Sequence, residues 1–537
     1  MSFVSNEMNI KFFRVFIFLC IVVVFSTLHS QINFQLKFDT VRVPSWPGIH
    51  SFVYGTVGDT IIVIGGRRDG LHEKESGFEY KRVNDSVYII SSKDFYCKAY
   101  PLAFIPDTIL SNAMRASNAL FTQKEDQLYV MGGYGESITK SYTTYPIFYV
   151  IDLPKFKVEL ETSSTKYSIV SKVDSNFAIA GGQMLFLDDR LAVVGGHYFQ
   201  GKYIDKSNQF IQKYTNKASF YEVSQSGNQL QCKKVSEIID EFNFHRRDYN
   251  LAYDIQVDGS IELMIYSGVF LENEARPFFN IASLNQQAYK DVENFEQLFA
   301  NYHCSKLGMY SAKNKEMKYF FFGGMSEYYR DSTGDIGRDP FVPFVNHVSC
   351  ILRDSLNTYD ELLLKDTLPG FFGSTAEFIA NSDLDFIKSN IINADLLRGD
   401  SIYLGFIFGG IWNPIGERNA WSRDRAKETL SNPFFIKSYL LKTNTSSNQY
   451  KFSSRKPTVK LVLSPSQNKY ILTLKPDEVS HLSYYIVDLQ GHIIESKTFS
   501  TIQNEMEISL RNLIKGQYRL ILSLNKSFIQ NELIQIY

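Results

Sequence analysis

LYVMGGYGE, residues 128–136, runs four strand-forming residues directly into two adjacent glycines, Gly132 and Gly133. Glycine weakens a strand and loses more backbone freedom on ordering than other residues do, so a pair at a strand end needs a structural reason. The same grammar recurs along the chain. IIVIGG (61–66), LAVVGG (191–196), YFFFGG (319–324) and FIFGG (406–410) end in Gly65-Gly66, Gly195-Gly196, Gly323-Gly324 and Gly409-Gly410. LMIYSG (263–268) keeps Gly268 but carries Ser267 before it. Between successive second glycines the spacings are 67, 63, 72, 56 and 86 residues. Six copies at an irregular period mean an array of similar units.

Each unit carries the same local signals. A polar turn precedes the apolar run: VGDT (57–60), KEDQ (124–127), LDDR (187–190), VDGS (257–260), KNKE (313–316) and LRGD (397–400). Asp, Asn and Gly there are hairpin chemistry. Before the turn lies another strand-like run, such as HSFVYGTV (50–57) or YNLAYDI (249–255). After the glycines come a polar loop and a third run, such as PIFYVIDL (146–153) or NHVSCILR (346–353). A fourth strand is expected in the intervening stretches, for instance KFKVELE (155–161). Four antiparallel strands repeated six times describe a β-propeller. The competing reading is a series of β-sandwiches. The fixed place of the glycine pair favours the propeller.

The units resemble kelch repeats. In that family the second strand of each blade ends in Gly-Gly, an aromatic such as Tyr149 or Tyr221 stands on the next strand, and an arginine such as Arg115 or Arg247 often opens the repeat. The resemblance implies an all-β, about six-bladed kelch-like β-propeller over residues 31–445. A Trp signature is missing, the chain having 3 Trp against 33 Tyr and 43 Phe. The loops are enlarged relative to a kelch unit of roughly 50 residues. Residues 31–44 either complete the last blade or stand alone, which leaves the blade number open.

The ends read differently. Lys11 and Arg14 precede the apolar run Val15–Leu28, with small residues at Ser26 and Ser30. This is the charge-then-apolar order of a secretory signal peptide over residues 1–30, cleaved near Ser30; a retained anchor is the alternative. Export permits disulfides among Cys97, Cys232, Cys304 and Cys350, which read equally as small buried hydrophobes. A polar linker is expected over 446–458. Short alternating strands follow over 459–537, among them YILTLK (470–475), LSYYIVDLQGHIIES (482–496) and GQYRLILSL (516–524), and suit a small β-sandwich. This segment resembles the C-terminal sorting domain of the type IX secretion pathway of Bacteroidetes. Asp488 and Gly491 match its hairpin, and Gly516, Tyr518 and Leu520 its "G-x-Y-x-L" strand. Ser464-Pro465 replaces Asn-Pro, and His492 stands where a basic residue is usual. The resemblance implies a secreted or surface-exposed chain whose partner is the type IX machinery, engaged through 459–537. Asp-Ser/Thr-aliphatic triplets at Asp39, Asp59, Asp85, Asp107, Asp354, Asp366 and Asp400 resemble O-glycosylation acceptors of exported proteins of that group, and read equally as turns leading into strands.

The formal net charge of −1 argues against nucleic acid or an anionic membrane as a partner, since both need a basic surface. Propellers bind ligands where their loops converge. Candidate ligand-binding residues are therefore the polar-aromatic clusters beside the blade glycines: His197 and Tyr198; His245, Arg246, Arg247 and Asp248; His303; and Tyr328, Tyr329 and Arg330. No Walker loop, HExxH or GxSxG motif occurs. Asp331, Asp335 and Asp339 lack calcium-loop spacing. Neither metal nor cofactor is expected. A binding module for a protein or glycan is favoured, and an exported carbohydrate-active enzyme or oxidoreductase on the same scaffold is the alternative.

Overall fold

The computed structural model describes residues 34–536 apart from 72–81, 103–104, 106–107, 138–140, 203–209, 272–275, 332, 417–428, 443–449, 453–459, 465–468, 474–481, 489–492, 500, 502, 512 and 525–526. The expected signal peptide therefore lies outside the described residues. The chain is an all-β protein built of many small sheets.

Six sets of four antiparallel strands follow the six glycine signatures. Sheet I contains Val53–Val57, Thr60–Ile64, Ser86–Ser91 and Cys97–Pro101, paired in chain order. Sheet II contains Leu120–Lys124, Gln127–Met131, Ile147–Asp152 and Ile169–Val173. Sheet III contains Gln183–Leu187, Arg190–Val194, Lys217–Ser226 and Gln229–Ile239, and sheet IV contains Asn250–Ile255, Ile261–Tyr266, Ile281–Leu284 and Tyr289–Asp291. Sheet V is built on Ser305–Ser311, Glu316–Phe322, His347–Arg353 and Tyr359–Thr367. Sheet VI takes Glu377–Ala380, Ser401–Phe408 and Phe434–Lys442, and its fourth strand is Phe34–Arg42 from the other end of the chain. The strand Phe34–Arg42 thus completes the last sheet.

The second strand of each sheet is covered on both faces. Ile61, Ile62, Val63 and Ile64 are all 1% exposed or less, which explains why these strands read as unbroken apolar runs and not as alternations. Burying each such side chain contributes about 1.5–3 kcal/mol. Apolar clusters join I to II, II to III, III to IV and V, V to VI, and VI back to I.

The glycines make that succession possible. The first of each pair has φ between 56° and 69°, and the second between 80° and 86°. Ser267 and Gly268 reach the same region at 47° and 107°. A Cβ on Gly132 would lie 2.0 Å from Ile179 O, and one on Gly323 would lie 2.3 Å from Phe372 O. This close approach lets the second glycine donate its N–H to the next unit. Gly66 donates to Ala116 O, Gly133 to Ile179, Gly196 to Arg246, Gly268 to Asn301 and Gly324 to Phe372. Gly410 then donates to Ile49 O, at the start of the first unit. These are six hydrogen bonds in one cycle.

Three expectations are corrected. KFKVELE is not a strand but part of the helix Leu153–Glu161. Asp152 caps it by accepting from Lys155 N at 3.2 Å, Pro154 stands in its first turn, and Leu153, Phe156 and Leu160 form its buried face. The alternation of Phe156, Val158 and Leu160 misleads because Val158 is exposed. The polar loop expected after Gly132-Gly133 begins instead as a strand. Tyr134–Glu136 pairs with Tyr142–Thr144, and with His197–Gln200 and Ile211–Tyr214 they form an extra sheet contributed by units II and III together. The linker is partly structured, since Tyr450–Phe452 pairs with Glu361–Leu363 on the edge of sheet V.

At the C-terminal end, Lys460–Ser464, Lys469–Thr473 and Glu505–Ser509 form one sheet. Ile493–Phe499, Leu482–Asp488, Gly516–Leu524 and Ser527–Ile536 form a second. Tyr470, Leu472, Met506 and Ile508 of the first pack with Leu482, Tyr484, Ile486 and Leu520 of the second. The Asp488–Gly491 hairpin falls mostly outside the described residues.

Candidate functional site: a polar collar between two cavities

The residue two positions ahead of each sheet's first strand joins a collar. Asn118 N–H donates to Ser51 O at 3.0 Å, Gly181 to Asn118 at 3.0 Å and Asp248 to Gly181 at 2.9 Å. His303 N–H then donates to Asp248 O at 2.6 Å, and Thr375 to His303 at 2.8 Å. Ser51, Asn118, Gly181, Asp248 and Thr375 all have φ between 52° and 69°. The left-handed backbone turns the chain out of the collar and into each strand.

The collar separates two cavities. One, of about 450 Å³, is lined by the first strands of all six sheets and by residues 386–390, which reach in from unit VI. Ile391–Asn393 continues that insertion by pairing parallel to the first strand of sheet V, which accounts for the longest spacing between glycine pairs. The other cavity, of about 720 Å³, lies on the glycine side. Its walls combine His50, Arg67, His197, Gln212 and Arg247 with Tyr134, Phe199, Tyr214, Phe270 and Tyr302. Tyr134, the residue after the opening glycine pair, therefore belongs to this cavity's wall.

The candidate residues divide. His197, Arg247 and Asp248 line the larger cavity, and Asp248 and His303 the smaller. His197 Nδ1 meets Gln212 Nε2 at 2.8 Å, and burial drives its pKa well below the usual imidazole range, helped by the charges of Arg247 and His245. Burial pushes the Asp248 carboxyl up, against the pull of Arg247 and His303. His303 Nε2 lies 3.1 Å from Glu377 Oε1. His245 stacks on Tyr214 at 3.7 Å between ring centroids and so adjoins the wall.

The others are elsewhere. Arg246 is fully buried and lines neither cavity. It donates to Asn243 O, Ser267 O and Asn280 Oδ1 at 2.8–2.9 Å and lies against the Phe278 ring, so it braces sheet IV. Tyr198 hydrogen-bonds to Gln200 at 2.8 Å. Tyr328 and Tyr329 sit with Arg330 in a separate hairpin with Ile336–Arg338, and Arg330 donates to the carbonyls of Leu364 and Lys365. Asp331 closes a turn by accepting from Thr333 and Asp335. Among the described residues no three His, Cys, Asp or Glu side chains group as metal ligands.

Several site residues escaped the sequence reading: His50, Ser51, Arg67, Asp69, Asn118, Thr375 and Glu377. The available signal was positional, because the pairs His50-Ser51, Ser117-Asn118, Tyr302-His303 and Ser374-Thr375 are unusually polar ahead of an apolar strand. Arg67 grips Asp69 through two nitrogens, with Nη2–Oδ2 at 2.6 Å and Nε–Oδ1 at 3.0 Å. Burial alone would raise the Asp69 carboxyl, but hydrogen bonds from His50 and Arg67, and their charges, hold it well below the usual range.

Residues 464–536 match the model of a family described as the secretion system C-terminal sorting domain. This segment is a secretion sorting domain. Such a domain addresses the chain to the type IX secretion machinery for release or display at the cell surface. The sorting domain coincides with the two C-terminal sheets and their shared core. Among solved structures, one titled "Structure of YjhT" is similar over 76% of this chain and 99% of that chain, at 13% identity and a TM-score of 0.42. No curated protein matches the chain. No helix among the described residues is long and apolar enough to cross a membrane.

Proposed function

We propose that residues 31–445 are a six-bladed kelch-type propeller, exported with the help of residues 1–30 as a signal peptide, which binds a glycan in the larger cavity at its mouth. The cyclic hydrogen bonds, the strand Phe34–Arg42 in sheet VI and the apolar contacts from sheet VI to sheet I support the propeller reading. The observation that carries the binding reading is the composition of the larger cavity. Its volume, about 720 Å³, suits a small ligand, and its walls alternate hydrogen-bonding groups with aromatic faces. A sugar presents both hydroxyls and flat C–H faces, so Arg247, Asn118 and Gln212 would take the former while Tyr214 and Tyr302 take the latter.

Calorimetric titration against a panel of glycans tests this. A binding glycan should lose at least tenfold in affinity to Arg247→Ala and to Tyr214→Ala, and nothing to Tyr328→Ala. Equal effects of all three variants, or no binding across the panel, would overturn the reading. One observation favours an enzyme instead: His303 pairs with Glu377 at 3.1 Å in the smaller cavity, whose wall also includes Asp248.

A further inference from the structure

At one point the collar holds three side chains in a line. Ser51 Oγ lies 3.0 Å from His50 Nδ1, and His50 Nε2 lies 3.2 Å from Asp69 Oδ1. The geometry points to a second activity resting on the same cavity: Ser51 is a nucleophile for acyl transfer, His50 its general base and Asp69 the group that orients the base.

The chemistry is consistent at each link. Asp69 is held ionised by hydrogen bonds from His50 and Arg67, and in the tautomer where it accepts from Nε2–H the Nδ1 lone pair faces Ser51 Oγ–H. A nucleophile bonded to a base that is itself held by a carboxylate is the arrangement that activates a hydroxyl. Ser51 lines both cavities, so a bound ligand reaches it. Its φ of 55° belongs to the collar as a whole, and what distinguishes it from the other positions is the histidine beside it and the carboxylate behind that. Two groups flank Ser51 on the collar as donors toward a developing oxyanion. Asn118 lines both cavities with Ser51, and Thr375 Oγ1 is buried without a hydrogen-bond partner among the described residues.

The substrate class is an ester, and with the glycan reading above, an O-acylated sugar. Ser51 Oγ attacks the acyl carbon while its proton passes to His50 Nδ1. The ester C–O bond breaks, and the sugar hydroxyl leaves with that proton. Water then attacks the acyl-serine and gives a proton to His50, which passes it to Ser51 Oγ as the acyl–Oγ bond breaks, releasing the carboxylic acid and free Ser51.

The test uses the full chain, a fluorophosphonate probe and p-nitrophenyl acetate. One probe molecule should attach at Ser51, located by peptide mass, and p-nitrophenol release should fall at least about 100-fold in Ser51→Gly and in His50→Gln, and at least tenfold in Asp69→Asn. Ser51→Gly is the informative variant because glycine accepts the left-handed backbone, so the fold is kept. Absence of labelling in the wild type, labelling elsewhere, or ester cleavage unchanged in Ser51→Gly would overturn the assignment. Glycan affinity of Ser51→Gly is measured alongside: retained binding with lost cleavage supports both readings, and retained binding with unlabelled wild type sinks the acyl transfer alone.

Discussion

Replacing Gly132 by alanine tests whether the glycine pairs report close packing of successive sheets or only a backbone turn. Gly132 has φ 68°, which costs an L-residue about 1–2 kcal/mol. The new methyl would also sit 2.0 Å from Ile179 O and 2.8 Å from Phe177 O, both backbone atoms that no rotamer change removes. Relief requires residues 177–179 to withdraw, which stretches the 2.8 Å hydrogen bond from Gly133 N–H to Ile179 O. Overpacking of this kind costs about 1–3 kcal/mol and the hydrogen bond about 1 kcal/mol, for about 3–6 kcal/mol in all. Gly58 is the internal control. Its φ is 54°, yet nothing lies within 4 Å of its Cβ position, so Gly58→Ala bears only the backbone cost, about 1–2 kcal/mol. Thermal unfolding by circular dichroism compares the two, at about 2 °C per kcal/mol for a fold this large. The expected falls in Tm are about 6–12 °C for Gly132→Ala and about 2–4 °C for Gly58→Ala. Equal falls would refute the packing argument and reduce the glycine pair to a turn.

Other consequences follow from single residues. Arg246→Ala leaves the carbonyls of Asn243 and Ser267 unpaired in the interior and should lower stability by about 3 kcal/mol in chemical denaturation, with no effect on ligand affinity once folded. The Asp69 carboxyl is depressed in the folded protein, so its contribution is full above the ordinary carboxylate pKa of the unfolded chain, about 3.9, and is lost as pH falls toward the lower folded value. Unfolding midpoints measured from pH 5 down to pH 2 should therefore drop more steeply in the wild type than in Asp69→Asn. Cys97, Cys232, Cys304 and Cys350 are all buried free thiols, with burial pushing each up to about 12. They should resist Ellman's reagent in the native protein and react in urea, and reductant should leave Tm unchanged.

Much of the architecture is legible in the residue pattern because its causes are local. A glycine pair after an apolar run needs only a left-handed backbone and a neighbour too close for a Cβ, and both conditions recur at every copy. Where the pattern failed, the competing cause was also local but subtler. KFKVELE alternates like a strand, but Asp152 and Pro154 begin a helix, and Leu153, Phe156 and Leu160 then share its buried face. The expected role of Arg246 failed for another reason. Three consecutive charged or aromatic-binding residues, Arg246, Arg247 and Asp248, point in different directions where the chain enters the collar, and sequence adjacency does not say which faces the cavity.

By itself the sequence determined the repeating unit, the glycine signatures that mark it and the character of the sorting domain, since periodicity, turn chemistry and strand order are written along the chain. Only the tertiary structure decided that Phe34–Arg42 pairs beside Phe434–Lys442, that two units pool their loops into one extra sheet, and that Ser51, Asn118, Asp248, His303 and Thr375 meet. Successive residues among them stand 55 to 130 positions apart, and no local preference links them. They converge because each glycine pair admits the backbone of the next unit, and that contact repeats until the sixth unit reaches the first.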